Sequence, residues 1–304
     1  MNYKEIFDQV CNEICDAPPF GEVASYIPEL AKVDPDQFAV HLLTVNEASF
    51  SFGDHQTAFS IQSIAKVFSL VMAYKIEGEQ LWERVGVEPS GTSFNSIVQL
   101  EHDNGIPRNP MLNAGAIVVC DILLSHSPTA KEDFLLFMRK VSGDDSIVYS
   151  EHIAASEKSK SYVNQALVNV MKYFDNIKND IEEVMDFYFH LCSIELTAGQ
   201  LAKASLFLAN EGCLVHSGER IISASQTKRI NAIMQLCGFY DQAGDFSFRI
   251  GLPGKSGVGG GIVAILPQSY AIVVWSPRLN KQGNSVKGIQ FLEQFTTLTK
   301  HSIF

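Results

Sequence analysis

Apolar side chains alternate with polar ones near both ends of the chain and recur at helical spacing between them. Phe38 to Val45 and Ser49 to Gly53 read as strands joined by the short Asn46-Glu47 connection, a hairpin. Toward the other end, Phe246-Ser247-Phe248-Arg249-Ile250 alternates, and the apolar runs Ile262 to Leu266 and Ala271 to Trp275 flank the turn Pro267-Gln268-Ser269-Tyr270. Short connections within each group predict one mostly antiparallel sheet of five strands, built from both ends of the chain. Helices are predicted over Glu151 to Phe174 behind Ser150, Glu182 to Cys192, Thr197 to Asn210 stopped by Gly212, Ser225 to Leu236 stopped by Gly238, and Val286 to about Leu298 behind Ser285. The expected architecture is α/β of the α+β kind, a five-stranded sheet flanked by helices plus a helical subdomain. A single domain would span 1–304, with the sheet part at about 1–75 and 220–304 and the helical part at about 76–219. A site would form in the cleft between them.

Composition narrows the picture. Hydrophobic residues make up 46% of 304, enough for a core in one large or two intimate domains. The uncharged stretch Gly257 to Trp275 is long enough to cross a bilayer, but its glycine run and central turn mark a buried hairpin, so no membrane span is expected. With 23 Lys and Arg against 34 Asp and Glu the net charge is −11, and no dense basic block offsets it, which argues against nucleic acid and anionic membranes as partners. A small molecule or another protein fits better.

Cys11, Cys15, Cys120, Cys192, Cys213 and Cys237 are scattered, and the start of the chain has no apolar export segment, so reduced thiols in a cytoplasmic protein are expected. No CxxC pair and no HExxH appear, so metal catalysis has no support in the sequence.

Ser63-Ile64-Ala65-Lys66 begins an apolar helix that continues Val67-Phe68-Ser69-Leu70-Val71. At this spacing serine and lysine share a face, and a lysine among apolar neighbours loses part of its solvation, which favours the neutral amine that can accept a serine proton. Backbone N–H groups at the helix start could hold an oxyanion. The spacing alone is common: Ser225-Gln226-Thr227-Lys228 repeats it in polar surroundings, where Ser225 reads as an N-cap and Lys228 as a surface charge. Lys255-Ser256-Gly257, followed by Val258-Gly259-Gly260-Gly261, is similar to the K-T-G strand of acyl-serine enzymes. Its glycines would let a substrate approach the backbone closely. A phosphate-binding loop does not fit, because Arg249 stands where that pattern needs glycine and the glycine run leads into a strand.

Longer stretches are more specific. Phe59-Ser60-Ile61-Gln62-Ser63-Ile64-Ala65-Lys66-Val67-Phe68, Glu88-Pro89-Ser90-Gly91 with Phe94-Asn95-Ser96, Pro107 to Ile117, Cys237-Gly238-Phe239-Tyr240-Asp241 and Gly251 to Gly261 together resemble the serine-dependent glutaminase family, from about Gly21 to Phe295. The resemblance implies a β-lactamase/DD-peptidase-like fold and hydrolysis of L-glutamine to L-glutamate and ammonia without a cofactor. It implies that Ser63 is the nucleophile, Lys66 its partner, Tyr240 a proton relay, and Val258 the residue whose N–H completes the oxyanion hole with that of Ser63. It assigns the amino-acid substrate to Tyr26, Asn113, Glu157, Asn164 and Tyr188, with Ser63, Tyr240 and Val258 also in the site. It further implies a homo-oligomer, dimer or tetramer.

Without the resemblance, Glu157 and Asn164 read as solvated helix residues two turns apart on one face, Asn113 as an N-cap, and Tyr26 and Tyr188 as half-buried packing residues. Two other functions stay open on the residues: a different acyl-serine amidase or β-lactamase-like enzyme, and a non-catalytic amino-acid sensor. Where the family usually has a basic-acidic pair, this chain has Gly199-Gln200, which is expected to alter packing or assembly contacts. His301 to Phe304 lie beyond the resemblance.

Overall fold

The computed structural model describes residues 3–90 and 97–304. Gly91 and Phe94-Asn95-Ser96, part of the family-like stretches, lie outside the described residues. The chain opens with α1 (Tyr3–Cys15), the hairpin β1 (Ala39–Thr44) and β2 (Ser49–Gly53), the short β3 (Phe59–Ser60) and α2 (Ala65–Glu77). A helical stretch follows: α3 (Leu81–Arg84), α4 (Ile97–His102), α5 (Asn113–His126), α6 (Ala130–Ser142), α7 (Glu151–Ser159), α8 (Tyr162–Tyr173) and α9 (Ile181–Cys192). Then come β4 (Glu195–Leu196), α10 (Ala198–Ala209), α11 (Ala224–Cys237), α12 (Ala243–Ile250), β5 (Gly254–Ser256), β6 (Gly261–Leu266), β7 (Tyr270–Trp275) and α13 (Val286–Thr299).

Five strands form an antiparallel sheet in the order β2-β1-β7-β6-β5, so strands from the two ends of the chain meet at the β1–β7 ladder, Ala39 opposite Trp275 through Thr44 opposite Tyr270. Side chains alternate between its faces. Val40, Leu42, Ile272 and Val274 join α1, α12 and α13 in one apolar cluster. Ala39, Val273, Trp275, Val263 and Ile265 point the other way, into a core that continues through α10 to α2 and α5. Burial on both faces explains why β6 and β7 carry no charge. Within that core α2 is buried over nearly all its length, from Ala65 to Val71 without a break. Among the described residues no helix is long and apolar enough to cross a membrane.

Three local expectations are corrected. Phe246 to Ile250 is not a strand but the end of α12; Phe246 and Ile250, four apart, are buried on one helical face while Phe248, which alternation would bury with them, is 91% exposed. The fifth strand is β5, with Lys255 at its centre. Glu151 to Phe174 is not one helix: it breaks between α7 and α8 at Lys160-Ser161. Ser159 and Ser161 there donate their hydroxyls back to the carbonyls of Ser156 and Lys158 at 2.7 and 2.8 Å, the local competition by which serine interrupts helices. Finally, the cap of α11 is Ser223, not Ser225: Ser223 and Gln226 form a reciprocal capping box.

The Gly199-Gln200 departure is accommodated locally. A Cβ at position 199 would touch the His41 ring on β1 at 3.4 Å, and Gln200 forms the capping box of α10 with Thr197 while its amide donates to Asp144 Oδ2 at 2.7 Å.

Candidate active site

Ser63 sits in a single 3-10 turn, Gln62–Ile64, between β3 and α2, so the helix proper begins two residues after it. Gln62 holds a φ of 49°, a left-handed conformation that costs a non-glycine residue about 1–3 kcal/mol and that persists only where its surroundings enforce it. The enforcing bonds are present. Ile61 N donates to Ile194 O at 3.0 Å, Ser60 Oγ to Cys192 O at 3.1 Å, and Gln62 Nε2 to Ser60 Oγ at 3.0 Å. From the other side the turn after β5 closes on the same backbone. A Cβ on Gly257 would lie 2.4 Å from Ile61 O, and one on Gly259 would lie 2.2 Å from Ser60 O, so only glycines allow Val258 to cross beside the Ser63 turn.

Lys66 is fully buried, its Nζ donating to Asn113 Oδ1 at 2.7 Å and to Met111 O at 3.3 Å. Burial pushes its pKa down to about 8, opposed by the nearby Cys192 and Glu157. Asn113 is therefore not an N-cap: it is the first residue of α5, and its amide bridges Lys66 and Asn164, donating to Asn164 Oδ1 at 3.0 Å.

Tyr240 stands in a 3-10 turn with a φ of 52° and lines the same cavity as Ser63. Burial pushes its phenol up to about 12, with the neighbouring Ser63 hydroxyl working the other way. Lys255, also fully buried, holds this turn to β5. Its Nζ donates to Gly238 O at 2.9 Å and Ser256 O at 2.6 Å and lies 4.4 Å from the centre of the Tyr240 ring, while burial drives its pKa well down.

The helix break between α7 and α8 changes how Glu157 and Asn164 meet. They come from two helices around the Lys160-Ser161 corner, not from two turns of one face. Burial pushes the Glu157 carboxyl up to about 7, against the hydrogen bond from Gln62 and the charge of Lys66. Tyr188 on α9 is buried, whereas Tyr26 is 58% exposed at the rim. The Tyr26 loop is fixed by Glu29 N donating to Ser156 Oγ at 3.3 Å and by an apolar cluster of Ala24, Ile27, Leu30 and Leu279.

All eight residues assigned to substrate by the sequence line one cavity of about 190 Å³, with Lys66 buried behind the Asn113 wall. This is smaller than the roughly 300–1,000 Å³ of drug-sized sites. Gln62 and Cys192 also line it and were missed. Gln62 had a signal, its place directly before Ser63, but Cys192 had none, because only the fold carries the end of α9 to this point. Among the described residues no three His, Cys, Asp or Glu side chains are arranged to hold a metal ion.

An antiparallel sheet with helices on both faces, and a helical layer whose buried α2 begins beside the pocket, is a β-lactamase-like fold. A solved probable glutaminase, ybaS, superposes with a TM-score of 0.94 at 30% identity, covering 99% of this chain and 98% of that one. A probable glutaminase of Bacillus subtilis gives 0.88 at 28% identity over 99% and 96%. Glutaminases of Saccharophagus degradans and Christiangramia forsetii are 57% and 54% identical over 304 residues, covering all of this chain and 99% and 100% of theirs. The glutaminase family model matches residues 21–304, including the last four that the family-like motifs did not reach. The chain belongs to the glutaminase family.

Proposed function

We propose that this glutaminase hydrolyses L-glutamine to L-glutamate and ammonia through a glutamyl ester on Ser63, within a single domain that needs no cofactor. The observation that carries the reading is the convergence of Ser63, Tyr240, a desolvated Lys66 held by Asn113 and the polar Glu157–Asn164 corner on one small cavity. Glu157 receives the α-ammonium: its carboxyl, pushed up to about 7 by burial, is drawn to the anion by the arriving charge. Asn113, Asn164, Tyr26 and Tyr188 supply amide and phenol groups for the α-carboxylate and side-chain amide.

Neutral Lys66, acting with Tyr240, takes the Ser63 proton as Oγ attacks the γ-carboxamide carbon. The oxyanion rests on the N–H groups of Ser63 and Val258. As the C–N bond breaks, the stored proton goes to the leaving nitrogen and ammonia departs. Water then donates a proton to the same base, its oxygen bonds to the acyl carbon, the ester C–O bond breaks, and Ser63 recovers its proton. We further propose a cytoplasmic homo-oligomer, dimer or tetramer, for which light scattering across micromolar concentrations is the check; a monomer throughout would end that part of the reading.

The test is release of ammonia and glutamate from L-glutamine by the purified chain, with asparagine for comparison and mass spectrometry of the Ser63 peptide after rapid quenching. A glutamyl adduct and matched products are expected. Tight glutamine binding without ammonia would point to a sensor, and a penicillin adduct not prevented by glutamine would point to another acyl-serine enzyme.

A further inference from the structure

Tyr240 is a wall common to two cavities. Behind the substrate pocket lies a chamber of about 130 Å³, lined by Ser90, Asn109, Met111, Tyr240, Asp241 and Gly244 among others. The chamber shares Pro89, Leu236, Ala243 and Gly244 with an open groove of about 530 Å³ beside Phe248 and Phe304. Pocket, chamber and groove therefore stand in series, each sharing a wall with the next, and Tyr26 at the front rim belongs only to the first.

The chamber is built as a passage more than as a ligand site. Its buried amide, Asn109, is already committed: Oδ1 accepts from Met111 N and Leu112 N at 3.1 and 3.2 Å, and Nδ2 donates to Glu88 O at 2.8 Å. The only ionisable groups among the chamber's described lining residues are Cys237, the Tyr240 phenol and the exposed Asp241, with no cation to hold an anion. Its volume admits a short file of waters, each taking roughly 30 Å³ in the liquid. It also borders the chemistry directly, because the Met111 carbonyl that faces Lys66 Nζ belongs to a residue of its lining.

We propose that this chamber is the passage by which water reaches the glutamyl ester, while the glutamyl chain occupies the front pocket. The inference rests on the hydrolysis described above. Ammonia forms beside the group that protonates it, and by microscopic reversibility the water that cleaves the ester takes the place the ammonia left. That place is next to the Tyr240 phenol and Lys66, on the chamber side of a front pocket filled by the acyl group.

Gly244→Leu tests the passage. Gly244 lines both chamber and groove, and a Cβ there meets nothing within 4 Å, so a leucine is expected to narrow the joint between them. Slowed deacylation lowers kcat and KM together, so kcat is expected to fall about tenfold with kcat/KM within about twofold of wild type. Rapid quenching should show a burst of ammonia equal to the enzyme, with glutamyl-Ser63 accumulating. Leu236→Ala, which widens the same joint, should keep the wild-type kcat. An unchanged kcat in Gly244→Leu overturns the passage, as does an equal loss of kcat/KM without a burst, the signature of a displaced Tyr240. A loss in Leu236→Ala as large as in Gly244→Leu overturns it too. Failure of the wild type to release ammonia would sink the hydrolysis itself, whereas an active wild type with an unaffected Gly244→Leu sinks only the passage.

Discussion

The chain carries the serine-lysine spacing twice, and the two copies have little else in common. Ser63 and Lys66 lie at the start of a helix buried on every side, with the lysine 1% exposed and bonded to Asn113 and Met111. Ser225 and Lys228 lie in the first turns of α11 with both side chains exposed, and neither caps the helix, a task Ser223 performs. Three-residue spacing fixes only that two side chains share a face. Whether that face is dry decides whether the lysine can surrender its proton near neutral pH. The difference is one of surroundings, and surroundings come from α5, α9 and β5, elements distant in sequence.

The strongest way to break this contrast is to remove the hydroxyls. Ser63→Ala should lower kcat on glutamine by about 10⁴-fold or more with the fold intact by circular dichroism, whereas Ser225→Ala should match wild type. Equal behaviour of the two would end the distinction. Removing the amines comes next: Lys66→Met should cost about 10²–10⁴-fold in kcat, the usual reach of a general base, and Lys228→Met nothing measurable. Replacing Glu157 with Gln should raise KM about 10- to 100-fold with a much smaller change in kcat, the size of a charge-assisted hydrogen bond lost from the ground state and transition state alike.

The pH profile sharpens the contrast further. Lys66, at about 8, must be neutral to accept a proton, and Glu157, at about 7, must be ionised to bind an ammonium. Both requirements improve as pH rises, so kcat/KM should climb from pH 6 and level off above about pH 9; Glu157→Gln should remove the lower step and leave the upper one. The smallest effect belongs to the true cap of the second copy. Ser223→Ala should cost about 1 kcal/mol in chemical unfolding and leave turnover unchanged.

Much of the fold was legible because β6, β7 and the β1–β2 hairpin carry apolar or alternating runs broken by clear turn signals. Phe246 to Ile250 misled because apolar residues at the first, third and fifth positions satisfy a strand through all three and a helix through the outer two. Only the exposure of Phe248 separates them. The α7–α8 break was hidden for a similar reason: Ser159, Lys160 and Ser161 are tolerable in a helix, and serine can turn its hydroxyl back to the carbonyl three residues earlier with or without ending one. At the site, spacing reached Ser63 and Lys66, and longer motifs reached Tyr240 and Val258. Glu157, Asn164 and Tyr188 carry no local sign of their place, since it exists only once three helices have been brought together. Cys192 had none either, and the Lys255-Ser256-Gly257 motif marked β5 without revealing that Lys255 would hold the Tyr240 turn to it.

The β1–β7 ladder has a consequence for the newborn chain. Val40 pairs with Val274 across 234 positions, so no ribosome can present the central ladder until that whole intervening stretch has been made. Until then the β1–β2 hairpin waits with β1 carrying an open edge, the kind of edge that recruits stray strands, and late closure of such distant pairs is slow. Assembly should therefore begin in the helical middle of the chain, with the sheet and the last wall of the pocket sealed together at the end.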